Sequence, residues 1–224
     1  MPTKKTYSIP ALKRLPAYLR ELRQLREEGR ERVSSPVLAR ALHIDTISAR
    51  KDLEMVGVVG SPGVGYRVRE LIDGIETFLG WKNTSEAFLI GASGFGAGLL
   101  EYEGFAAYGL KIIAAFDRRA TGGGAIHDVP LFGFSELRHL AARLRIRLAI
   151  LCVPDDEAQE TAEFLVECGI LAIWNFTAHT LKLPEKIICQ RVNLGGDLAI
   201  LSVKLGERLN ELEENGVDLE EEKL

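Results

Sequence analysis

Leu89-Ile90-Gly91-Ala92-Ser93-Gly94-Phe95-Gly96-Ala97-Gly98 is the stretch whose reading decides the fold. An apolar run breaks into small residues and resumes as a helix. In such a strand–turn–helix the glycines permit a tight turn and let backbone N–H groups approach a pyrophosphate at the helix N-terminus. A glycine-rich turn alone is common between strand and helix. Asp117 adds weight, because this acid ends the next apolar strand, 21 residues after Gly96. That is close to the step expected for the ribose-binding carboxylate of a dinucleotide site. On these residues alone, a Rossmann-like domain that binds coenzyme A, or no nucleotide, stays open.

Toward the C-terminus, apolar strands are expected at 87–90, 111–116, 148–153 and 171–176, alternating with helices that begin at 96 and 156. This alternation predicts a parallel sheet with crossover helices over residues 84–196. Asp155-Asp156-Glu157 follow Pro154 at a helix start, where acids complement the helix dipole, so they are read as structural. Cys152 sits in an apolar strand and is read as core. Leu198, Leu201, Leu205, Leu209 and Leu212 form one stripe of a helix over 197–214, and an acidic tail, 215–224, is expected to be disordered.

Toward the N-terminus, leucines at 12, 15, 19, 22 and 25 predict a helix over 11–28, closed by Gly29. Ser35-Pro36 opens a short helix to residue 42. Asp45 or Thr46 caps a third over 46–56, in which Ala49, Leu53 and Val56 face inward. Gly57, Gly60, Pro62, Gly63 and Gly65 punctuate the next stretch, and Tyr66-Arg67-Val68 returns as a strand. Helix, helix, turn, helix and glycine-rich hairpin is the order of a winged helix-turn-helix, here spanning 1–80, with an amphipathic helix or linker over 69–82 and the domain boundary near 80–84. Ile47, Arg50, Lys51 and Glu54 are expected on the open face of the third helix, where arginine and lysine can read guanine or neutralise phosphate. Ser34 and Ser35 offer hydroxyls and free N–H groups to a phosphate, and the wing with Tyr66 and Arg67 is placed to reach a minor groove. A solvated basic face and a plain hairpin are the bland alternatives.

Charge supports the division. The chain carries a net −4, yet residues 1–70 hold 14 Lys/Arg against 8 Asp/Glu while the remainder holds 14 against 24. A basic module joined to an acidic body points the first seventy residues at a polyanion. No run of about 18 apolar residues suggests a membrane span, and the first residues lack the apolar stretch of a secretory signal. Cys152, Cys168 and Cys189 form no CxxC pair, and His43, His127, His139 and His179 share no ligand spacing. Reduced thiols in a cytoplasmic protein without a metal are therefore expected. No nucleophile has a histidine and acid beside it, and no proton donor stands where hydride transfer would need one. A Rossmann oxidoreductase with an accessory N-terminal domain is the enzyme alternative, and we expect no catalysis.

These motifs, in this order, resemble one family along nearly the whole chain, the Rex-type redox-sensing transcriptional repressors. The resemblance is carried by Arg14-Leu15-Pro16, Tyr18-Leu19-Arg20, Arg50-Lys51-Asp52-Leu53 and Gly63-Val64-Gly65-Tyr66 in the first domain. In the second it is carried by Tyr102 with Gly104-Phe105, Ala115-Phe116-Asp117, Val153-Pro154, Glu157-Ala158-Gln159 and Asn175-Phe176. It implies an α/β chain with an N-terminal winged helix, a Rossmann domain and a C-terminal helix swapped in a homodimer. It further implies a palindromic double-stranded DNA operator, released when NADH rather than NAD⁺ is bound. Gly91, Ser93, Gly94, Phe95, Gly96, Asp117 and Arg118 would hold the dinucleotide, with Val153, Pro154, Asn175 and Phe176 at its nicotinamide end. Arg14, Ser34, Ser35, Ile47, Ser48, Arg50, Lys51, Tyr66 and Arg67 would meet DNA. Arg20, Tyr102 and Asn193 would form the contact network that changes between states. The chain departs from the family pattern at Ser93 (the middle glycine), Asn193 (usually an acid), Asp117-Arg118-Arg119-Ala120 (usually FDxDP) and Ser61-Pro62 (often basic in the wing). Arginine beside the ribose can accommodate a 2′-phosphate, which leaves NADPH as an alternative ligand.

Overall fold

The structure is a computed structural model that describes residues 7–121 and 123–214; the acidic tail lies outside the described residues. The chain divides into two compact units. Met1–Thr84 with Ala106–Gly109 make up the first, and Ser85–Phe105 with the chain from Leu110 onward the second.

In the first unit, Ser8 accepts from the Ala11 N–H at 3.5 Å and starts α1 (Ile9–Glu27). Leu15, Tyr18, Leu19 and Leu22 fall on its buried face, and Gly29, at φ 77°, turns the chain out of it. β1 (Arg32–Val33), α2 (Ser35–Ala41), α3 (Thr46–Met55), β2 (Tyr66–Arg67) and α4 (Val68–Leu79) follow. Ser34 holds the N-cap position of α2, so Ser35 is already helical and the helix begins one residue earlier than expected. The Asp45 carboxylate accepts from the Ser48 N–H at 2.8 Å, which caps α3 and lowers the Asp45 pKa. β1 and β2 pair antiparallel, Arg32 opposite Arg67 and Val33 opposite Tyr66. Leu38, Ala49, Leu53, Leu71 and Ile75 close one core with the α1 leucines. Ala106–Gly109 joins this unit through Tyr108, whose ring lies 4.9 Å from that of Trp81.

The second unit is a sheet of seven strands. Its elements are β3 (Ser85–Ile90), α5 (Phe95–Glu101), β4 (Leu110–Phe116), β5 (Gly124–Ile126), β6 (Val129–Phe132), α6 (Leu137–Leu144), β7 (Leu148–Leu151), α7 (Ala158–Glu167), β8 (Ala172–Asn175), β9 (Ile188–Arg191) and α8 (Leu194–Glu214). The strand order is β5-β6-β4-β3-β7-β8-β9, parallel except where β5 meets β6. Phe88, Ile90, Phe116, Leu151 and Leu165 form the core on one face, and Ala87, Leu89, Ala115 and Ile150 that on the other. Because β4 and β7 flank β3 on opposite sides, the chain reverses its winding there. In such sheets ligands bind at the carboxyl ends of strands beside that reversal.

Sequence reading missed the β5–β6 hairpin, α6 and β9. The hairpin turns on His127 and Asp128 at φ 47° and 65°, without the glycine that flags a left-handed turn. β9 is four exposed residues at a sheet edge, and no apolar pattern betrays it. The residues after Pro154 make a 3-10 turn, Asp155–Glu157, before α7, rather than its first turn.

Candidate nucleotide and DNA sites

Gly91, at φ 89°, ends β3 in a conformation that side chains resist, and a Cβ there would lie 2.6 Å from the Cys152 carbonyl oxygen. A Cβ on Gly96 would lie 1.9 Å from the Gly91 carbonyl oxygen, so α5 packs back on its own loop with no room for a side chain. Gly94 takes φ 52° over open space, and Ser93 is exposed at a negative φ. The backbone therefore accepts serine at the middle position, and the two glycines that close packing demands are the outer pair. Asp117 ties this loop to the end of β4. Its Oδ2 accepts from the Ala92 N–H at 3.2 Å and its Oδ1 from the Arg119 N–H at 2.9 Å. Each oxygen keeps a lone pair for a ribose hydroxyl. The cradle thus fits a dinucleotide by its close backbone approach and by its carboxylate.

Arg118, expected at the nucleotide, is held at 3.2 Å from Glu157 and 3.1 Å from Glu160, with its guanidinium over the Phe134 ring. The Arg119 guanidinium is exposed and makes no ion pair among the described residues. Cys152 is half-buried beside the loop, and desolvation pushes its thiol up to about 12, far from a nucleophile's range.

At the other end, Asn175 is buried. Its Nδ2 donates to the His179 carbonyl at 3.0 Å and its Oδ1 accepts from the Thr177 N–H at 2.9 Å. Asp155 accepts from the Ala178 N–H at 2.8 Å, and Arg191 donates to Thr180 at 3.1 Å. The loop after β8 is pinned from three directions beside Val153-Pro154. Phe176 lies between Phe95 (5.5 Å) and Trp174 (4.8 Å), and Trp174 leads on to Phe105 (5.8 Å) and Tyr102 (4.9 Å). The structure therefore brings Asn175 and Phe176 to the strand ends, with Phe95 from the glycine loop. Tyr102 is half exposed, and Asn193 accepts from the Gly196 N–H at 3.1 Å at the start of α8, a capping role in which asparagine and aspartate serve alike.

In the first unit a cleft runs between α3 and the wing, lined by Ser34, Pro36, Arg50, Glu54 and residues 57–66. Ile47 (69% exposed), Arg50 and Lys51 stand on the open side of α3. Ser48 is half-buried beside its cap, and Arg67 is exposed. Three expected contacts are placed elsewhere. Ser35 is buried at 7% exposure. Tyr66 is buried beneath the wing, its ring so near Gly60 that a Cβ there would lie 2.9 Å from it. Arg14 grips Asp52 with both arms of its guanidinium, at 2.7 and 2.9 Å, while the buried Tyr18 hydroxyl donates to the same carboxylate at 3.2 Å. This latch joins α1 to the helix that carries Arg50 and Lys51. A signal for it was present, since Asp52 shares the helical face of Ala49 and Leu53. Arg20 is exposed on α1, in a cleft with Lys13 and Glu21.

Among the described residues no group of three or more His, Cys, Asp and Glu could hold a metal, and no helix is long and apolar enough to cross a membrane. Residues 8–54 match the DNA-binding protein N-terminus family, and residues 82–179 match the CoA binding domain family. A redox-sensing transcriptional repressor Rex of Treponema denticola is 40% identical over 93% of this chain and 100% of its own. That of Bacteroides fragilis is 35% identical over 91% and 92%. Crystal structures of RSP, a Rex-family repressor, superpose over 95% of this chain and 99% of theirs. The complex with β-NAD⁺ and operator DNA has a TM-score of 0.84 at 34% identity, and the complex with β-NADH 0.81 at 33%. Identity of this extent over whole chains, with both domains in the same order, means that the protein belongs to the Rex family of redox-sensing transcriptional repressors.

Proposed function

We propose that this chain is a cytoplasmic homodimeric repressor that binds a palindromic operator and is released from it by NADH, with no catalysis of its own. The observation that carries the reading is the cradle formed by Gly91, Gly96 and Asp117 at the reversal point of the sheet, in one chain with an α3 whose Ile47, Arg50 and Lys51 are open. Gly91, Ser93, Gly94, Phe95, Gly96 and Asp117 hold the pyrophosphate and adenosine ribose. Val153, Pro154, Asn175 and Phe176 bound the nicotinamide end. Ile47, Arg50, Lys51, Ser34 and Arg67 meet the DNA. Arg20, Tyr102 and Asn193 belong to the contacts that differ between the two dimer arrangements, and α8 supplies the dimer contact. NADH can release DNA only by favouring one arrangement over the other.

A second ligand reading is favoured by one observation. Arg119, two residues beyond Asp117, has an exposed guanidinium with no ion pair among the described residues, suited to a 2′-phosphate. One experiment tests both. A labelled palindromic duplex, selected by the protein from a random pool, is followed by anisotropy at fixed salt during titration with NADH, NAD⁺ and NADPH in parallel. Release by NADH with NAD⁺ ineffective is the expected result. Release by NADPH at equal or lower concentration transfers the assignment to the second ligand, and indifference to all three refutes the sensor.

A further inference from the structure

The wing is where a winged helix usually meets the sugar–phosphate backbone, yet residues 57–65 contain no lysine or arginine. The cations lie at its base. Arg30, Arg32, Arg67 and Arg69 bound one concave patch with Arg26, against Glu31 and Glu70. All five arginines are exposed. In the ladder Arg32 stands directly opposite Arg67, while the alternate pair, Val33 and Tyr66, is buried in the core. Arg30 and Arg69 lie two residues further along, where the Val68 N–H still bonds to the Glu31 carbonyl at 2.9 Å. The result is a cluster of four guanidinium groups on the solvent side, two from the opposed strand residues Arg32 and Arg67, one from Arg30 just before β1 and one from Arg69 in the first turn of α4.

Like charges directly opposite in a ladder are destabilising, and little here offsets them. Arg67 has Glu70 at 3.5 Å, and Arg26, Arg30, Arg32 and Arg69 make no ion pair among the described residues. Along the chain the array neighbours residues of the cleft beside α3. Ser34 and Gly65 line that cleft, and each is two residues from an arginine of the ladder. We propose that Arg30, Arg32, Arg67 and Arg69 form a phosphate-binding surface for the operator duplex just outside the base pairs read by α3, replacing the contact that the uncharged wing cannot make. The proposal rests on the DNA-binding reading above. Five exposed arginines against two glutamates in one concave patch favour a polyanion over an acidic protein face, whose carboxylates would need matching positions.

The test uses the full chain and the selected palindrome in two lengths, one trimmed to the base-read stretch and one with ten or so added base pairs on each side. Affinity is measured against salt for the wild type, for a quadruple arginine-to-glutamine variant and for a quadruple arginine-to-lysine variant. Losing one phosphate contact per subunit of a dimer lowers the log–log salt slope by about 1.8. That corresponds to about 60-fold weaker binding at 0.1 M salt. The glutamine variant is expected to show this loss on the flanked duplex and little on the trimmed one, with thermal stability unchanged or raised. The lysine variant should keep the wild-type slope, because phosphate neutralisation needs the charge and not the fork. A glutamine variant that binds the flanked duplex like wild type, or loses equally on both lengths, overturns the proposal while leaving the DNA-binding reading intact. In the first of these cases an acidic protein surface becomes the occupant to seek. A wild-type chain that binds neither duplex overturns the function itself.

Discussion

Replacing Asp52 by alanine removes the acceptor by which α3 holds α1, and the structure allows the loss to be estimated. Asp52 is 3% exposed and accepts three hydrogen bonds. Without it the Tyr18 hydroxyl, fully buried, loses its partner, at about 1–3 kcal/mol for an unsatisfied buried group. Arg14 has 28% of its side chain exposed and can rehydrate, so its two bonds add only about 1 kcal/mol. The sum, about 2–4 kcal/mol, corresponds to a fall of roughly 10–25 °C in the melting temperature of a unit this size. The two tryptophans divide between the units, Trp81 in the first and Trp174 in the second. Urea unfolding of a Trp174→Phe background therefore follows the first unit alone, which matters because two units need not unfold in one step. Arg14→Ala and the double variant complete a cycle whose coupling should be about 1 kcal/mol. Coupling near zero, or an Asp52→Ala loss below about 1 kcal/mol, would refute the latch. The same cluster sets an alkaline limit. Burial, first, and the Asp52 charge, second, raise the Tyr18 pKa well above the usual phenol range. A raised folded-state pKa means that the contribution is complete below about pH 10, the unfolded value, and is lost as pH rises toward the folded one. Tyr18→Phe should flatten that decline.

Three further outcomes follow from particular contacts. Gly96→Ala drives a Cβ to 1.9 Å from the Gly91 oxygen, so NADH affinity in a fluorescence titration should fall at least about tenfold by forcing the loop open; DNA binding should persist without NADH release, and unchanged affinity would discard the cradle. Thr161→Val deletes a hydroxyl on α7 that is fully buried and without a hydrogen-bond partner among the described residues, so the urea midpoint of the second unit should rise, by up to about 1 kcal/mol in stability; a clear decrease would mean that Oγ1 is hydrogen-bonded in the folded protein. Leu198, Leu201 and Leu205 stand 61%, 63% and 55% exposed along α8, and Leu198→Glu with Leu201→Glu should leave a 24.7 kDa monomer in sedimentation velocity; a persistent dimer would remove α8 from the interface.

What the sequence disclosed, and what it withheld, follow from the range of the interactions concerned. The glycine loop, the cap at Asp45 and the stripes of α1 and α8 are local patterns with periods of a few residues, and they emerge where expected. The role of Arg14 is not local. Its motif was recognisable, but only the packing of α1 on α3, 38 residues away, shows that the guanidinium binds Asp52. Tyr66 is similar, because a tyrosine beside a glycine-rich turn reads equally well as a groove contact or as the floor under Gly60. The β5–β6 hairpin stayed hidden because His127 and Asp128 occupy the left-handed turn positions where a glycine would have flagged it. The arginine array was invisible for the same reason as the latch, since the opposition of Arg32 and Arg67 exists only once β1 and β2 pair.

The ring series on the second unit makes a physical demand on any account of switching. Phe95 and Tyr102 bracket α5, and Phe176, Trp174 and Phe105 connect them by four contacts of 4.8–5.8 Å between centroids. Such pairs contribute about 0.5–1.5 kcal/mol each beyond their burial, so a dinucleotide that reorients Phe95 or Phe176 changes the packing under Tyr102 by an energy comparable with a tenfold shift in equilibrium. Gly104 keeps that end tight, for a Cβ there would lie 2.5 Å from the Tyr102 hydroxyl. Proximity alone does not establish coupling. Phe105→Leu keeps an apolar side chain in the core while breaking the series between Trp174 and Tyr102. If the rings carry the signal, this variant should bind NADH within about threefold of wild type and bind DNA normally, yet need at least about tenfold more NADH for release. Release at the wild-type NADH concentration would mean that α5 moves as a rigid body and that the rings only pack it.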